Sequence, residues 1–368
     1  MNLPLTRVLI LCGGESPEHE ISLLSSQSVI KVLDREQHVP WVVGIQKTGE
    51  WQWFSEPLDF VHNAQDPKRI RLKETGIPTV LGLTAKGPAL LRLDNGQIIT
   101  HIDLAFPILH GPFGEDGTVQ GLLKMMHVPF VGASVLGTAI GMDKAVMKRL
   151  LRDAGIPTAD FRVLMRQDTI EVKKLASELG FPMFVKPANM GSSVGIAKIP
   201  DESCFHKYVE EAFQFDHKIL LEKAIQGREL ECAVLGNEDP IVSLPGEIVP
   251  VGHEFYSYEA KYLDDDGAEL HIPAPLEQNQ VKALQKMAID AYQALECEGM
   301  ARVDLFMDNH GRCYLNEINT IPGFTKISMY PKLWEISGIP YAKLVDRLLV
   351  LAQARAKREA QLTRNRFL

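Results

Sequence analysis

The 368-residue sequence is short of cysteine: five in all (Cys12, Cys204, Cys232, Cys297 and Cys313), odd in number, widely spaced and without a CxxC pair. That usage excludes a disulfide-stapled secreted scaffold and a cysteine-ligated zinc site, and it points to a reducing compartment. Basic charge is scarce too, with 39 Lys and Arg against 47 Asp and Glu and a net charge of −8. Neutralising a phosphate backbone needs the opposite balance, so no nucleic-acid partner is expected. No apolar run approaches the roughly 18 residues that a membrane helix requires. The apolar stretch near the amino terminus is short and lacks a small-residue cleavage site, so it reads as a first strand rather than a signal peptide. A cytoplasmic protein without a membrane partner is the expectation.

What the chain does have is length and an ordinary composition. At roughly 150 residues per domain it predicts two or three domains, each large enough to close a core. Val8 to Cys12 is a short β-type run ending in Gly13-Gly14, and the following segment carries Ile21, Leu24, Ser28 and Val32 at helical spacing. With further β runs at Val39 to Ile45 and Ile102 to Leu109, this predicts a parallel α/β unit whose ligands sit beyond the carboxyl ends of the strands. Glu18 and His110 fall at such ends. Residues 47 to about 100 show scattered turns and no legible chemistry. The pattern changes near Gly141. A helix through Met147, Leu150 and Leu151 is followed by β runs at Phe161 to Met165 and Met183 to Lys186, a helix from Asp201 to Phe213, and a strand from His217 to Glu222 leading into Gln226-Gly227. The expected division is 1–140, 141–225 and 226–368. The last helix, Tyr341 to about Ala360, carries Arg355, Lys357 and Arg358 late, which reads as a solvated basic helix end.

The segment Ala301 to Asn319 is the richest in chemistry. Two β runs flank Asn309 to Arg312, a hairpin signal. If His310-Gly311 forms the turn, Asp304 faces Glu317 and Arg302 faces Asn319, and alternation puts all four on one face. Opposed carboxylates repel by about 0.2–1 kcal/mol. A hard cation reverses that sign, and two carboxylates with an amide oxygen suit magnesium that completes its octahedron with nucleotide and water. The alternative is a solvated hairpin face on which Arg302 pairs with Asp304 or Glu317.

Three other segments are less specific. Phe184 to Ile196 runs from a strand through Lys186 into a loop rich in Gly and Ser, and then into a β run at Val194 to Ala197. Backbone N–H groups and hydroxyls of such a loop can close over phosphates while the lysine neutralises them, but the Walker pattern is absent and an ordinary turn fits as well. Leu220 to Ile225 is a strand passing into a linker, with Glu229 and Glu231 beyond, suited to adenosine or to a simple hinge. Glu254 to Gly267 packs Phe255, Tyr256, Tyr258, Lys261 and Tyr262 ahead of Asp264-Asp265-Asp266, as a lid loop or as packing.

In order along the chain, Gly13 to Ser22, His110 to Gly117, Lys186 to Gly195, Tyr258 to Tyr262, Arg302-Val303-Asp304 and Asn316 to Phe324 together resemble the ATP-grasp enzymes, and among them the D-alanine:D-alanine ligase family. The resemblance covers nearly the whole chain, and the match around Arg228 to Asn237 is similar to the longer, A-type members. It implies an α/β, three-domain ATP-grasp architecture in which a Rossmann-like first domain holds the initial substrate and the other two sandwich ATP. It further implies phosphate binding by Lys144 and Lys186, adenosine binding by Glu222, Lys223, Ile225, Glu229 and Phe255, and Mg2+ (or Mn2+) on Asp304, Glu317 and Asn319. Glu18 would pair with the first D-alanine's ammonium beside His110, Arg302 and the Gly323 N–H would form an oxyanion hole, and Lys261 would hold the transferred phosphoryl group. Ser328 and Met329 would receive the second D-alanine's carboxylate, and Ser192 with Tyr262 would tie loop and lid to Glu18. The implied activity joins two D-alanines through an acyl phosphate for peptidoglycan synthesis, in a homodimer.

A relative making D-alanyl-D-lactate, or another carboxylate-amine ligase, would keep the magnesium hairpin and change the lid, where such relatives typically carry histidine; Tyr262 favours the dipeptide. A non-catalytic sensor would tolerate loss of Arg302 or a metal ligand, and all are present. A Rossmann dehydrogenase fails because Gly13-Gly14-Glu15 is not GxGxxG.

Overall fold

The computed structural model describes residues 5–252, 267–325 and 327–362. The first sheet is built from β1 (Thr6–Gly13), β2 (His38–Ile45), β3 (Trp51–Phe54), β6 (Ile77–Thr84), β7 (Gly87–Arg92), β8 (Ile98–His101) and β9 (Leu104–Pro107), in the order β8-β7-β6-β3-β2-β1-β9; β4 (Val61–His62) and β5 (Arg71–Leu72) form a small hairpin beside it. The expected parallel unit is present in β1, β2 and β9. The stretch read as scattered turns supplies six strands, of which β3, β6, β7 and β8 extend this sheet in antiparallel fashion, so the sheet is mixed. In β6 the alternation is plain, with Thr79 and Leu81 buried and Val80 exposed.

α1 (His19–Val32) follows the β1 turn, and α2 (Thr118–Met125) and α3 (Val135–Met142) lead to α4 (Lys144–Asp153). The second sheet runs β10-β13-β11-β12, with β10 (Phe161–Met165), β11 (Met183–Pro187), β12 (Ala197–Ile199) and β13 (Lys218–Lys223). One face packs on α5 (Val172–Leu179) and α6 (Phe205–Ala212) around Met183, Val185, Ile219 and Leu221. The other face carries Phe161, Leu220 and Glu222, because residues two apart on a strand share a side.

The third sheet comprises β14 (Gly227–Gly236), β15 (Ile241–Val242), β16 (Gly246–Pro250), β17 (Ala268–His271), β18 (Gly299–Asp308) and β19 (Cys313–Asn319). α7 (Gln278–Ala294), α8 (Met329–Ile336) and α9 (Tyr341–Ala360) complete the described chain. One apolar core joins Val8, Ile10 and Phe106 of the first sheet to Ala233, Phe324, Trp334, Leu344 and Leu348, so the first sheet and the last segment are packed as one body. The end of α9 is the solvated basic end expected at Lys357, which is exposed, but not at Arg355. Arg355 is buried, donates at 2.5 and 2.7 Å to the carbonyls of Gly132 and Phe130, and stacks over the Phe130 ring. Its three methylenes reach past the helix surface, and the carbonyls satisfy the charge that burial strips of water.

Candidate active site

The magnesium hairpin has the expected pairs by an unexpected route. Arg302 opposes Asn319 and Asp304 opposes Glu317. Its turn, however, has three residues, Asn309 to Gly311, closed by the Asp308 N–H on the Arg312 carbonyl at 2.9 Å. Leu305 accordingly pairs with Leu315, and a bulge at Asn316 restores the register at Asp304. The bulged Asn316 turns its amide oxygen to Lys186 at 3.0 Å. Asp304 is buried and takes a two-pronged bond from Arg302 at 2.7 and 2.7 Å, while Glu231 lies 3.1 Å from the same guanidinium. The Arg302–Asp304 pair weighed as an alternative is therefore real, but on a buried face. Burial opposes the charge on Arg302, yet Asp304 and Glu231 raise its pKa well above the usual value.

Lysines approach from the opposite side. Asp143 caps α4 by accepting from the N–H groups of Ala145 and Val146, both at 3.0 Å, which sets Lys144 at the first helical position. Lys144 Nζ donates to the Met190 carbonyl at 2.7 Å and lies 3.5 Å from Glu317. Lys186, on β11, is 2.8 Å from Glu222. Burial would lower the Lys186 pKa, and Glu222 more than offsets it. Lys223 is exposed, and Ile225 and Glu229 are partly buried at the passage from β13 to β14. Phe255, Lys261 and Tyr262, with all of the expected lid except Gly267, lie outside the described residues.

Glu18 sits at the N-terminus of α1, buried, and accepts a hydrogen bond from the Ser192 hydroxyl across 174 residues of sequence. Ser192 and Ser193 are in the left-handed region, at φ 50 and 60°, which turns the loop down onto the first sheet. Gly111 permits this closeness: a Cβ there would lie 2.8 Å from the Glu18 carboxylate.

His110 donates from Nδ1 to the Ile321 carbonyl at 2.9 Å, which leaves Nε2 to accept from the Ser25 hydroxyl at 3.1 Å. Ser25 in turn accepts from the Phe324 N–H at 3.2 Å. That pattern needs a neutral imidazole, in keeping with burial, which lowers the His110 pKa. Glu115, inside the motif quoted above but given no role there, accepts from the N–H groups of Gly111 at 2.7 Å and Ile321 at 3.1 Å. Both polar groups of Ile321, two residues before Gly323, are thus gripped by one loop of the first domain. Gly323 is approached by Ser328, whose hydroxyl would lie 2.7 Å from a Cβ there. Met329 turns its side chain into the core, so only its N–H, at the start of α8, can serve a ligand.

Burial first, then the charge of Glu18, pushes the Glu115 carboxyl up to about 8, against the hydrogen bonds from Gly111 and Ile321 and, last, Arg302. Folded protein then holds a proton there that unfolded chain releases above its ordinary 4.5, so this group's contribution to stability falls as pH rises from about 4.5 to about 8. Glu115→Gln is expected to remove that slope from denaturation curves taken across the range. It should also lower stability by about 1–3 kcal/mol, since the two N–H groups sit on different carboxyl oxygens and the amide nitrogen that replaces one of them cannot accept. A variant whose slope matches the parent would exclude the raised carboxyl.

Comparison with known proteins decides the family. Residues 7–133 match the D-ala D-ala ligase N-terminus and residues 150–350 the D-ala D-ala ligase C-terminus. The chain belongs to the D-alanine–D-alanine ligase family. It is 48% identical over 364 residues to the D-alanine–D-alanine ligase of Oceanobacillus iheyensis, covering 98% of each chain. With D-alanine–D-alanine ligase A of Chromobacterium violaceum the identity is 46% over 361 residues, again covering 98% of each. The solved D-alanine–D-alanine ligase of Coxiella burnetii superposes with a TM-score of 0.86 at 36% identity, over 98% of this chain and 97% of that one. The VanG D-Ala:D-Ser ligase of Enterococcus faecalis gives 0.83 at 32% identity, over 95% and 100%. The family is one of three-domain ATP-grasp enzymes, so the chain is an ATP-dependent ligase. No helix among the described residues is long and apolar enough to cross a membrane.

Proposed function

We propose that the chain joins two D-alanines to D-alanyl-D-alanine through a D-alanyl phosphate, as a cytoplasmic homodimer supplying peptidoglycan synthesis. Full-length relatives named for that reaction support it, and none of the relatives reported above is named for D-lactate. The observation that carries it is the Ser192–Glu18 bond, which closes a loop suited to phosphates over a carboxylate suited to an ammonium.

In this reading residues 1–140 hold the first D-alanine, and 141–225 and 226–368 enclose ATP. Glu18 fixes the substrate ammonium, which aims the carboxylate toward the phosphate loop. Lys144 and Lys186 steady the phosphates, Glu222, Lys223, Ile225, Glu229 and Phe255 the adenosine, and Lys261 the transferred group. Arg302 and the Gly323 N–H stabilise the tetrahedral intermediate formed when the second amine attacks, with Ser328 and the Met329 N–H holding its carboxylate. Tyr262 would complete the link from lid to Ser192.

The hairpin fits Mg2+ or Mn2+. Two opposed carboxylates, Asp304 and Glu317, stand next to the Arg302–Asn319 pair, a hard-oxygen set of the kind magnesium takes, with the Asp304 oxygens shared with Arg302. A cation bound there would supply positive charge to the phosphoryl oxygens.

Phosphate release from ATP should require D-alanine, and L-alanine and D-lactate should give little. Equal release with all three would overturn the proposal. Glu18→Gln should raise the KM for the first D-alanine roughly tenfold or more while leaving that for ATP near the parent value, as expected when a charged hydrogen bond to a substrate is weakened. Equal weakening of both would place Glu18 elsewhere.

A further inference from the structure

Lys148 has no part in the functions assigned above, yet it is the most deeply buried lysine described, at 0% exposure, one helical turn after Lys144 on α4. Its ammonium lies 3.3 Å from Glu222 Oε1, while Lys186 lies 2.8 Å from Glu222 Oε2, so one carboxylate is held between two cations. Neither Lys148 Nζ nor Glu222 Oε1 has a hydrogen-bond partner among the described residues. Glu222 Oε1 therefore keeps accepting capacity. Phe161 and Phe184 stand directly across from Glu222 on the two neighbouring strands, so their rings and the carboxylate share one face of the sheet. Lys148 also lies 6.0 Å from the centre of the Phe161 ring. A flat heterocycle that donates a hydrogen bond at its edge would find the carboxylate and both aromatic side chains on that one face.

A buried lysine costs several kcal/mol of desolvation, which a structural role could avoid with an apolar residue of the same length. We propose that Lys148 is a positioning residue for base selection: it holds Glu222 as a charged, accept-only group, so that the nucleotide site takes a 6-amino purine and rejects a 6-oxo purine. The inference rests on the placing of adenosine at Glu222. An ionised carboxylate accepts from the amino group of adenine and repels the carbonyl of hypoxanthine. Burial alone would push the Glu222 carboxyl up, and Lys148 with Lys186 reverses this. With Lys148 removed, Glu222 can carry a proton and donate to a 6-oxo group.

The test compares ATP with ITP in the full-length protein with magnesium, by displacement of a fluorescent ADP analogue and by phosphate release. Lys148→Met should narrow the preference for ATP over ITP by roughly tenfold or more, because discrimination by a polar site depends on which of its groups are left unpaired. Lys148→Arg, which keeps the charge, should retain the preference. A parallel fall in both nucleotides' affinity on Lys148→Met, the outcome of a purely structural role, would overturn the proposal. Should Lys148→Met fail to fold, Lys148→Gln carries the same comparison. Glu222→Gln separates the two levels of inference. If it narrows the preference while the Lys148 variants do not, only the role of Lys148 is overturned; if it leaves the preference intact, the placing of adenosine at Glu222 fails as well.

Discussion

Arg302→Met should reduce D-alanine-dependent phosphate release on the order of 10²–10³-fold or more, the usual loss when one oxyanion donor is removed. The variant should also be less stable, because Arg302 is the shared partner of Asp304 and Glu231, two buried carboxylates. Removing one member of a buried ion cluster costs about 3–5 kcal/mol. The two losses separate under magnesium and nucleotide. A cation at Asp304 should restore part of the thermal stability, and it should restore none of the rate. Recovery of rate together with stability would show that Arg302 serves only to neutralise its neighbours.

Glu317→Gln should lower turnover by roughly 100-fold at ordinary magnesium concentrations and raise the concentration needed for half-maximal rate, since a magnesium site of this kind draws on one or two carboxylates. Stability in the absence of metal should not improve. Opposed carboxylates alone would gain from losing one charge, but Asp304 is already matched by Arg302, and Lys144 stands 3.5 Å from Glu317. The cationic side chains hold the face together until a divalent ion arrives. An unchanged magnesium dependence, measured by titration of the rate, would remove Glu317 from the metal site.

The legible parts of the sequence were those in which local chemistry and local geometry coincide. Val8 to Cys12, Gly13-Gly14 and the helix after it announce a strand, turn and helix because each signal lies within a few residues of the next. The hairpin pairs were legible for a weaker reason. A three-residue turn and a bulge at Asn316 offset each other, so Asp304 met Glu317 although the turn was misplaced. Residues 51–101 were not legible, because their strands are short or carry exposed apolar residues such as Val80 and Leu83. Burial of single charges was not legible either. Lys148 repeats Lys144 at four residues, a spacing that puts both on one helical face, and Glu115 stands in a loop already rich in glycine. Nothing in the order of residues says that either side chain is sealed from water; that follows from elements distant in the chain, as with Arg355 against Phe130.

The first sheet and the final helices share an apolar core, whereas the second sheet has a core of its own and meets its neighbours through polar bonds, Ser192 on Glu18 and Lys186 on Asn316, with a small apolar contact where Ala145 packs on Phe161 and Leu220. Among the described residues the first seam is dry and the second mostly wet. Water can replace each bond along the wet one at little net cost, and it cannot enter the dry one without exposing hydrocarbon. Entry of nucleotide and escape of product should therefore swing the second sheet alone, with Glu18 and the Ile321 to Phe324 loop riding together as a fixed anvil.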